Sequence, residues 1–186
     1  MNIGFAMCGS FCTFSQVFPI MEELAKEHNV IPIFSTISHT TDSRFGTAQE
    51  HIEKATSICH KAPLHTIAQV EPIGPKKMLD ALVIAPCTGN TLAKLAHSIA
   101  DTPVTMAAKS HLRNGRPILI AVSTNDALAG AAENIGKLLS RKHYYFVPFR
   151  QDDPKNKPTS MVADFSMISP ALDAALAGRQ LQPILL

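Results

Sequence analysis

The chain has 186 residues, 46% hydrophobic and 17% charged, with a net charge of +2. That is the balance of a single globular domain, residues 1–186, with a core of its own. Near-neutrality argues against a nucleic-acid partner, because Lys76–Lys77 and Arg141–Lys142 are short pairs that read as solvated surface rather than a basic face. No apolar run is long enough to span a bilayer, and the opening MNIGFAMCGSFCTF lacks a basic segment ahead of its apolar stretch, which together point to a cytoplasmic protein without a membrane partner.

Residues 3–7 predict a strand that ends at Gly9-Ser10. The period then changes. Phe14, Val17, Phe18, Met21, Leu24 and Ala25 share one face of a helix, with Glu22, Glu23, Lys26 and Glu27 opposite. A second strand spans residues 30–34, and Pro32, having no N–H to give a ladder, places it at a sheet edge. A hydroxyl-rich loop follows from Ser35, then a helix marked by Ala48, Ile52, Ala55 and Cys59. Residues 61–79 carry little pattern, and EPIGP reads as a turn.

The third strand, residues 81–85, stops at Pro86 and leads into a helix with Leu92, Leu95, Ala96 and Ile99 on one face. Asp101 is placed to cap a further helix with Pro103 in its first turn, closed by Asn114-Gly115. Residues 117–122 form the fourth strand; Ala131, Ile135, Leu138 and Leu139 mark a helix; residues 144–147 form the fifth strand. Residues 150–160 read as a polar surface loop, and Ser169-Pro170 and Gly178 as the start and stop of a last helix.

Strands alternating with helices predict an α/β fold, a three-layer, doubly wound parallel sheet of Rossmann-like or flavodoxin-like type. The edge position of the second strand suits the order 2-1-3-4-5, whose ligand site lies at the carboxyl ends of strands 1 and 3.

The strand ends are where polar residues gather. After strand 1, Gly9-Ser10-Phe11-Cys12-Thr13 precedes a helix, whose free N–H groups and dipole favour a phosphate. An ordinary turn with Ser10 or Thr13 as cap fits the same residues. After strand 3, Thr88, Asn90 and Thr91 put more neutral hydrogen-bonding groups at a helix start than one cap requires, and they suit a ribityl chain or a flavin edge. Ser35, Thr36 and Ser38 follow strand 2, and Ser123, Thr124 and Asn125 follow strand 4. Any one loop is turn chemistry; four in succession indicate a shared pocket.

Other residues carry less. Asp101 and Asp126 read as caps before general bases, and Arg44 and Arg113 as exposed before anion contacts. The histidines at 28, 39, 51, 60, 65, 97, 111 and 143 are scattered, without a metal-ligand spacing, and read as surface or helix-end residues. Cys8, Cys12, Cys59 and Cys87 form no C-x-x-C pair and read as reduced packing residues, with Cys8 and Cys87 set apart by their place at strand ends.

Residues 86–96, PCTGNTLAKLA, resemble the P-x-x-x-N-T-x-A-K-x-A signature of the FMN-binding flavoprotein family that includes the peptidyl-cysteine and phosphopantothenoylcysteine decarboxylases. Gly9-Ser10 matches the Gly-Ser turn that family carries after its first strand. The resemblance implies an FMN cofactor whose phosphate meets Ser10, with Thr88, Asn90 and Thr91 lining the flavin site and Ser35 and Ser38 flanking it. It also implies homo-oligomers.

Departures from the decarboxylases are specific. Pro72 stands where they carry a catalytic His, Ser123-Thr124-Asn125 replaces their P-x-M-N segment, and QDDPKNKP occupies the region of their Gly-rich, Cys-containing clamp. Residues 99–128, 144–158 and 179–186, with RFG at 44–46 and EPIGPK at 71–76, instead resemble a branch found in spore-forming bacteria. The resemblance to that branch implies action in the mother cell alongside a second, nicotinamide-dehydrogenase-like subunit, the two oxidising a small dihydropyridine dicarboxylate to its aromatic product. Three readings stay open: redox chemistry on this chain, a non-catalytic role in which the chain keeps an inherited pocket, and, last, a residual decarboxylase activity.

Overall fold

The computed structural model describes residues 1–186. The first strand, β1 (Asn2–Met7), leads through a 3-10 turn at Phe11–Thr13 into α1 (Phe14–Glu27), whose buried face is Phe14, Val17, Phe18, Met21 and Leu24. Then come β2 (Asn29–Phe34), the short α2 (Thr36–Thr40), α3 (Ala48–Cys59) and the single turn α4 (Ile67–Val70). The chain continues with β3 (Ala81–Cys87), α5 (Gly89–Ala96), α6 (Pro103–Leu112), β4 (Ile118–Thr124), α7 (Ala132–Leu139) and β5 (Tyr144–Phe146). It ends with β6 (Phe149–Gln151), β7 (Met161–Ala163) and α8 (Ile168–Leu176).

The sheet runs β2-β1-β3-β4-β7-β6, with β5 also paired to β4. The five strands anticipated from sequence pair in parallel in the order 2-1-3-4-5. All seven residues of β3 are buried, as expected for a parallel strand covered on both faces. α1 and α8 pack on one face, and α5 and α6 on the other. Side chains such as Phe5, Val83 and Ile120 are wholly enclosed between these layers, and truncating an enclosed Phe to Ala costs about 3–5 kcal/mol.

Pro32 does lie on an edge strand, opposite Phe5. Its carbonyl still accepts the Leu64 N–H, and Phe34 N–H donates to the Leu64 carbonyl, so a short stretch of the 61–79 segment covers that edge. The same segment buries Val70, Ile73 and Leu79 completely. Its lack of period reflects a path of short turns, each contributing one core residue. The loop after Ser35 coils into α2 because the Ser35 hydroxyl caps it, accepting from Ser38 N–H.

Two caps differ from expectation. Thr102, not Asp101, caps α6, sharing a reciprocal box with Thr105, while Asp101 pairs with Lys94 at 2.8 Å. The last helix starts earlier than Ser169: Asp164 caps a 3-10 turn that runs straight into α8, leaving Pro170 within the first turn, where its missing N–H costs nothing. Gly178 ends it in a left-handed conformation (φ 73°).

The largest difference lies at 150–160. Its first two residues, Arg150 and Gln151, belong to β6, which forms a hairpin with β7, and β7 pairs antiparallel with Ser123 and Thr124 at the end of β4. β5 takes the same edge of β4 lower down, at Ile118–Ile120. No helix is long and apolar enough to cross a membrane.

Candidate functional site

The carboxyl ends of β1, β3 and β4 open onto two adjoining cavities that share Gly9 and Thr88. The larger, about 430 Å³, is lined by the β1–α1 turn, by Ser123, Thr124 and Asn125, and by Asp152, Lys157 and Ser160 of the β6–β7 hairpin. The smaller, about 260 Å³, is lined by Cys8, Ser35, Thr36, Asn90, Thr91 and Thr102 among others. Together they fall within the size range of cofactor pockets.

Ser10 heads the 3-10 turn, yet its side chain caps nothing; its hydroxyl meets that of Ser123 at 2.7 Å. Thr13 instead returns its hydroxyl to the Ser10 carbonyl at 2.8 Å. The turn therefore keeps its first N–H groups and the Ser10 hydroxyl at the cavity, which suits an anion. Gly9 is needed there, since a Cβ would stand 2.9 Å from Ile37 Cγ2.

Thr88 caps α5 through Thr91 N–H at 3.4 Å, and Thr91 donates its own hydroxyl proton to Cys8 Sγ at 3.3 Å. Asn90 stands exposed on the first turn of α5, beside the smaller cavity. Thr124 donates to Asp126 at 2.5 Å, and both groups lie against Gly89, where a Cβ would come within 2.7 Å of the carboxylate. Asp126 so places a negative charge at the start of α5, where the helix dipole favours it. Asn125 is tied to the hairpin: its carbonyl accepts from Thr159 at 2.7 Å and its side-chain oxygen from Ser160 at 3.4 Å.

Nine of the ten residues singled out from sequence line these cavities: Gly9, Ser10, Ser35, Thr88, Asn90, Thr91, Ser123, Thr124 and Asn125. Ser38 does not. It is fully buried and donates to the Met7 carbonyl at 3.0 Å, fastening α2 to the end of β1. Arg44 lies over the Phe45 ring and, like Arg113, is not among the lining residues.

Sequence reasoning missed the hairpin wall. Asp152 and Lys157 pair at 3.4 Å, and Lys157 is the one cation lining either cavity. Against the effect of burial, the Ser160 hydroxyl and Lys157 hold the Asp152 carboxyl below its usual range. Thr102 was missed as well, both as the cap of α6 and as a lining residue. The histidine reading needs correction at two positions: His51 is buried, and His111, though in the last turn of α6 as a helix-end residue, is buried as well. His51 packs among Phe11, Phe14 and Phe18, and His111 reaches the Pro117 carbonyl at 3.1 Å. No group of three or more metal-ligating side chains occurs.

An α/β sheet with a polar, hydroxyl-lined cavity across its first, third and fourth strand ends defines a flavoprotein-type fold. The chain belongs to the Flavoprotein family, whose pattern matches residues 1–166. It is 44% identical to the B subunit of dipicolinate synthase from Bacillus subtilis (strain 168), over 99% of this chain and 92% of that one. Among solved structures, the dipicolinate synthase B subunit of Bacillus halodurans superposes with a TM-score of 0.91 at 42% identity, covering 100% of this chain and 95% of that one. The fold is shared with an FMN-dependent cysteine decarboxylase at a TM-score of 0.70 and 23% identity, over 94% and 97% of the two chains.

Proposed function

We propose that the chain binds FMN in the paired cavities and acts as the B subunit of a dipicolinate synthase, working with an A subunit to oxidise dihydrodipicolinate to dipicolinate in the sporulating mother cell. The observation that carries the cofactor reading is the Ser10 hydroxyl, left free of capping and held at the cavity by Ser123. The residues suit the group: a helix start and Ser10 for a phosphate, Lys157 for its second charge, and Thr88, Asn90 and Thr91 as neutral partners for ribityl and ring atoms. Gly9 leaves the room that a Cβ would fill. When bound, FMN supplies a two-electron acceptor for a hydride. The chain's part is to bind and orient: the helix start at Ser10 fixes the anionic end, the start of α5 meets the neutral part, and the hairpin wall closes one side of the larger cavity. The branch resemblance and the 44% identity support the biological role.

A second reading, in which the chain serves for assembly and completes the A subunit, is favoured by one observation. Pro72 lies in a 3-10 turn, Glu71–Ile73, that is fastened to α6, with Ser110 donating to the Glu71 carbonyl at 2.5 Å. That turn presents no base to either cavity.

FMN titration followed by flavin fluorescence, with dipicolinate formation by the two-subunit complex measured in parallel, separates the readings. Asn90→Ala with Thr91→Ala is expected to abolish FMN binding and dipicolinate formation together. Dipicolinate formed at the wild-type rate by a complex that no longer binds FMN would leave the assembly reading standing. Absence of FMN binding by the wild-type chain would overturn the cofactor reading itself.

A further inference from the structure

Two thiols lie side by side beneath the smaller cavity, one lining it and one behind, and neither is among the residues proposed to hold FMN. Cys8 follows β1 and Cys87 ends β3. The Cys8 N–H donates to the Pro86 carbonyl at 3.2 Å, and β3 shifts register between Ile84 and Cys87. The shift brings Cys87 opposite Cys8 on the neighbouring strand. Adjacent strands stand about 4.8 Å apart, within the Cα range a disulfide requires.

Both are buried, Cys8 at 1% exposure and Cys87 at 0%, but their contacts differ. Cys8 lines the cavity and accepts the Thr91 hydroxyl proton at 3.3 Å. Cys87 is fully enclosed, with its thiol directed to the Thr88 carbonyl at 3.9 Å and lining neither cavity. The Cys87 thiol, then Thr91, hold the Cys8 thiol below its ordinary value against burial, whereas burial pushes Cys87 well up. Cys8 is thus the more acidic sulfur of the two and the one on the cavity side, with Cys87 the protonated neighbour behind it.

We propose that Cys8 and Cys87 form a peroxide-responsive pair, with Cys8 the attacking sulfur and Cys87 the resolving one. The Cys8 thiolate attacks one oxygen of hydrogen peroxide; an S–O bond forms, the O–O bond breaks, and the departing hydroxide takes a proton to become water. Cys87 sulfur then attacks the Cys8 sulfenic sulfur; the S–S bond forms, the S–O bond breaks, and hydroxide leaves as water with the Cys87 proton. Two thiols lose two electrons and two protons, and one peroxide becomes two waters. Because Thr91 gives its hydroxyl proton to Cys8, the disulfide, an uncharged and weaker acceptor than a thiolate, loosens that bond beside Asn90 and Thr88, so oxidation acts on the rim of the cavity.

The test uses the full-length chain with Cys12→Ser and Cys59→Ser, which leaves only the pair. Hydrogen peroxide at neutral pH, then alkylation after unfolding and intact-mass measurement, is expected to give a product lighter by two hydrogens with both thiols blocked. Adding Cys87→Ser should stop the reaction at a Cys8 product heavier by one oxygen and captured by dimedone. Adding Cys8→Ser instead should leave Cys87 reduced. Thr91→Val should slow the oxidation about tenfold at neutral pH. The proposal is overturned if Cys87 oxidises as fast without Cys8, or if both thiols survive peroxide in the folded chain while the unfolded chain is oxidised. Wild-type protein carried through the same steps with peptide mapping guards against variants that fail to fold: a Cys8–Cys87 linked peptide supports the pair, and its absence beside oxidised Cys12 refutes it.

Discussion

The Ser10 and Ser123 hydroxyls meet at 2.7 Å, joining the loop after the first strand to the end of the fourth across the cavity mouth. Ser123 orients, and Ser10 is the group free to contact a ligand. Ser10→Ala is therefore expected to weaken FMN binding about tenfold, the worth of one hydrogen bond to a charged group. Ser123→Ala should cost about threefold, and the double variant little more than Ser10→Ala alone, because the two act as one unit. Equilibrium titration of the three variants checks this; fully additive losses would show that the serines act separately.

Gly89 sits against Asp126 and Thr124, where a Cβ would stand 2.7 Å and 2.8 Å from their oxygens. Gly89→Ala forces these groups off the start of α5. Both are side-chain ends that can swing aside, so the expected net cost is about 1 kcal/mol, read as a fall in melting temperature of roughly 2–4 °C. A melting curve unchanged from wild type would contradict the close approach.

His111 gives the fold a pH dependence. Burial, with the Arg116 charge acting the same way and the Pro117 carbonyl and Asp80 opposing, lowers its pKa from 6.5 to about 4. The folded state holds the neutral ring, while the unfolded chain takes up a proton once the pH drops below 6.5. The contribution to stability is thus whole above that value and is lost as the pH falls toward 4. Its size is on the order of 2–3 kcal/mol. Urea unfolding of wild type and His111→Gln between these limits should show a shallower loss in the variant; parallel curves would show that other groups set the acid limb.

The parts of the fold that sequence exposed are those with a strict period. β1 through β5 and most of the faces of α1, α3, α5 and α7 follow from apolar spacing, because each buries a face, but Ile99 falls beyond the end of α5 and, like Leu139, is exposed. The segment holding Val70, Ile73 and Leu79 hides its core role because its buried residues arise from separate turns. The β6–β7 hairpin was invisible for a related reason: its strands are only three residues each, and their pairing partner is the far end of β4.

The site divides along the same line. Hydroxyls crowded at strand ends were legible because a ligand pocket and its turns draw on the same residue types. Ser38 belonged to that crowd by composition and by the family resemblance, but its hydroxyl is buried on the Met7 carbonyl, away from both cavities. Asp152 and Lys157 were not legible, since a charged, Pro-containing stretch looks the same whether it faces solvent or a cavity. The pairing of Cys8 with Cys87 depends on a register shift in β3 that spacing does not report.

The hairpin that walls the larger cavity joins the sheet only through Ser123 and Thr124. Its connecting residues, 152–158, enclose no part of the central core. A replacement of different length or charge could be spliced in there while the strands and helices beneath stay as they are. Ligand preference in this scaffold is accordingly easiest to rewrite in one short, detachable stretch, and hardest at the turn around Gly9, where a Cβ meets Ile37.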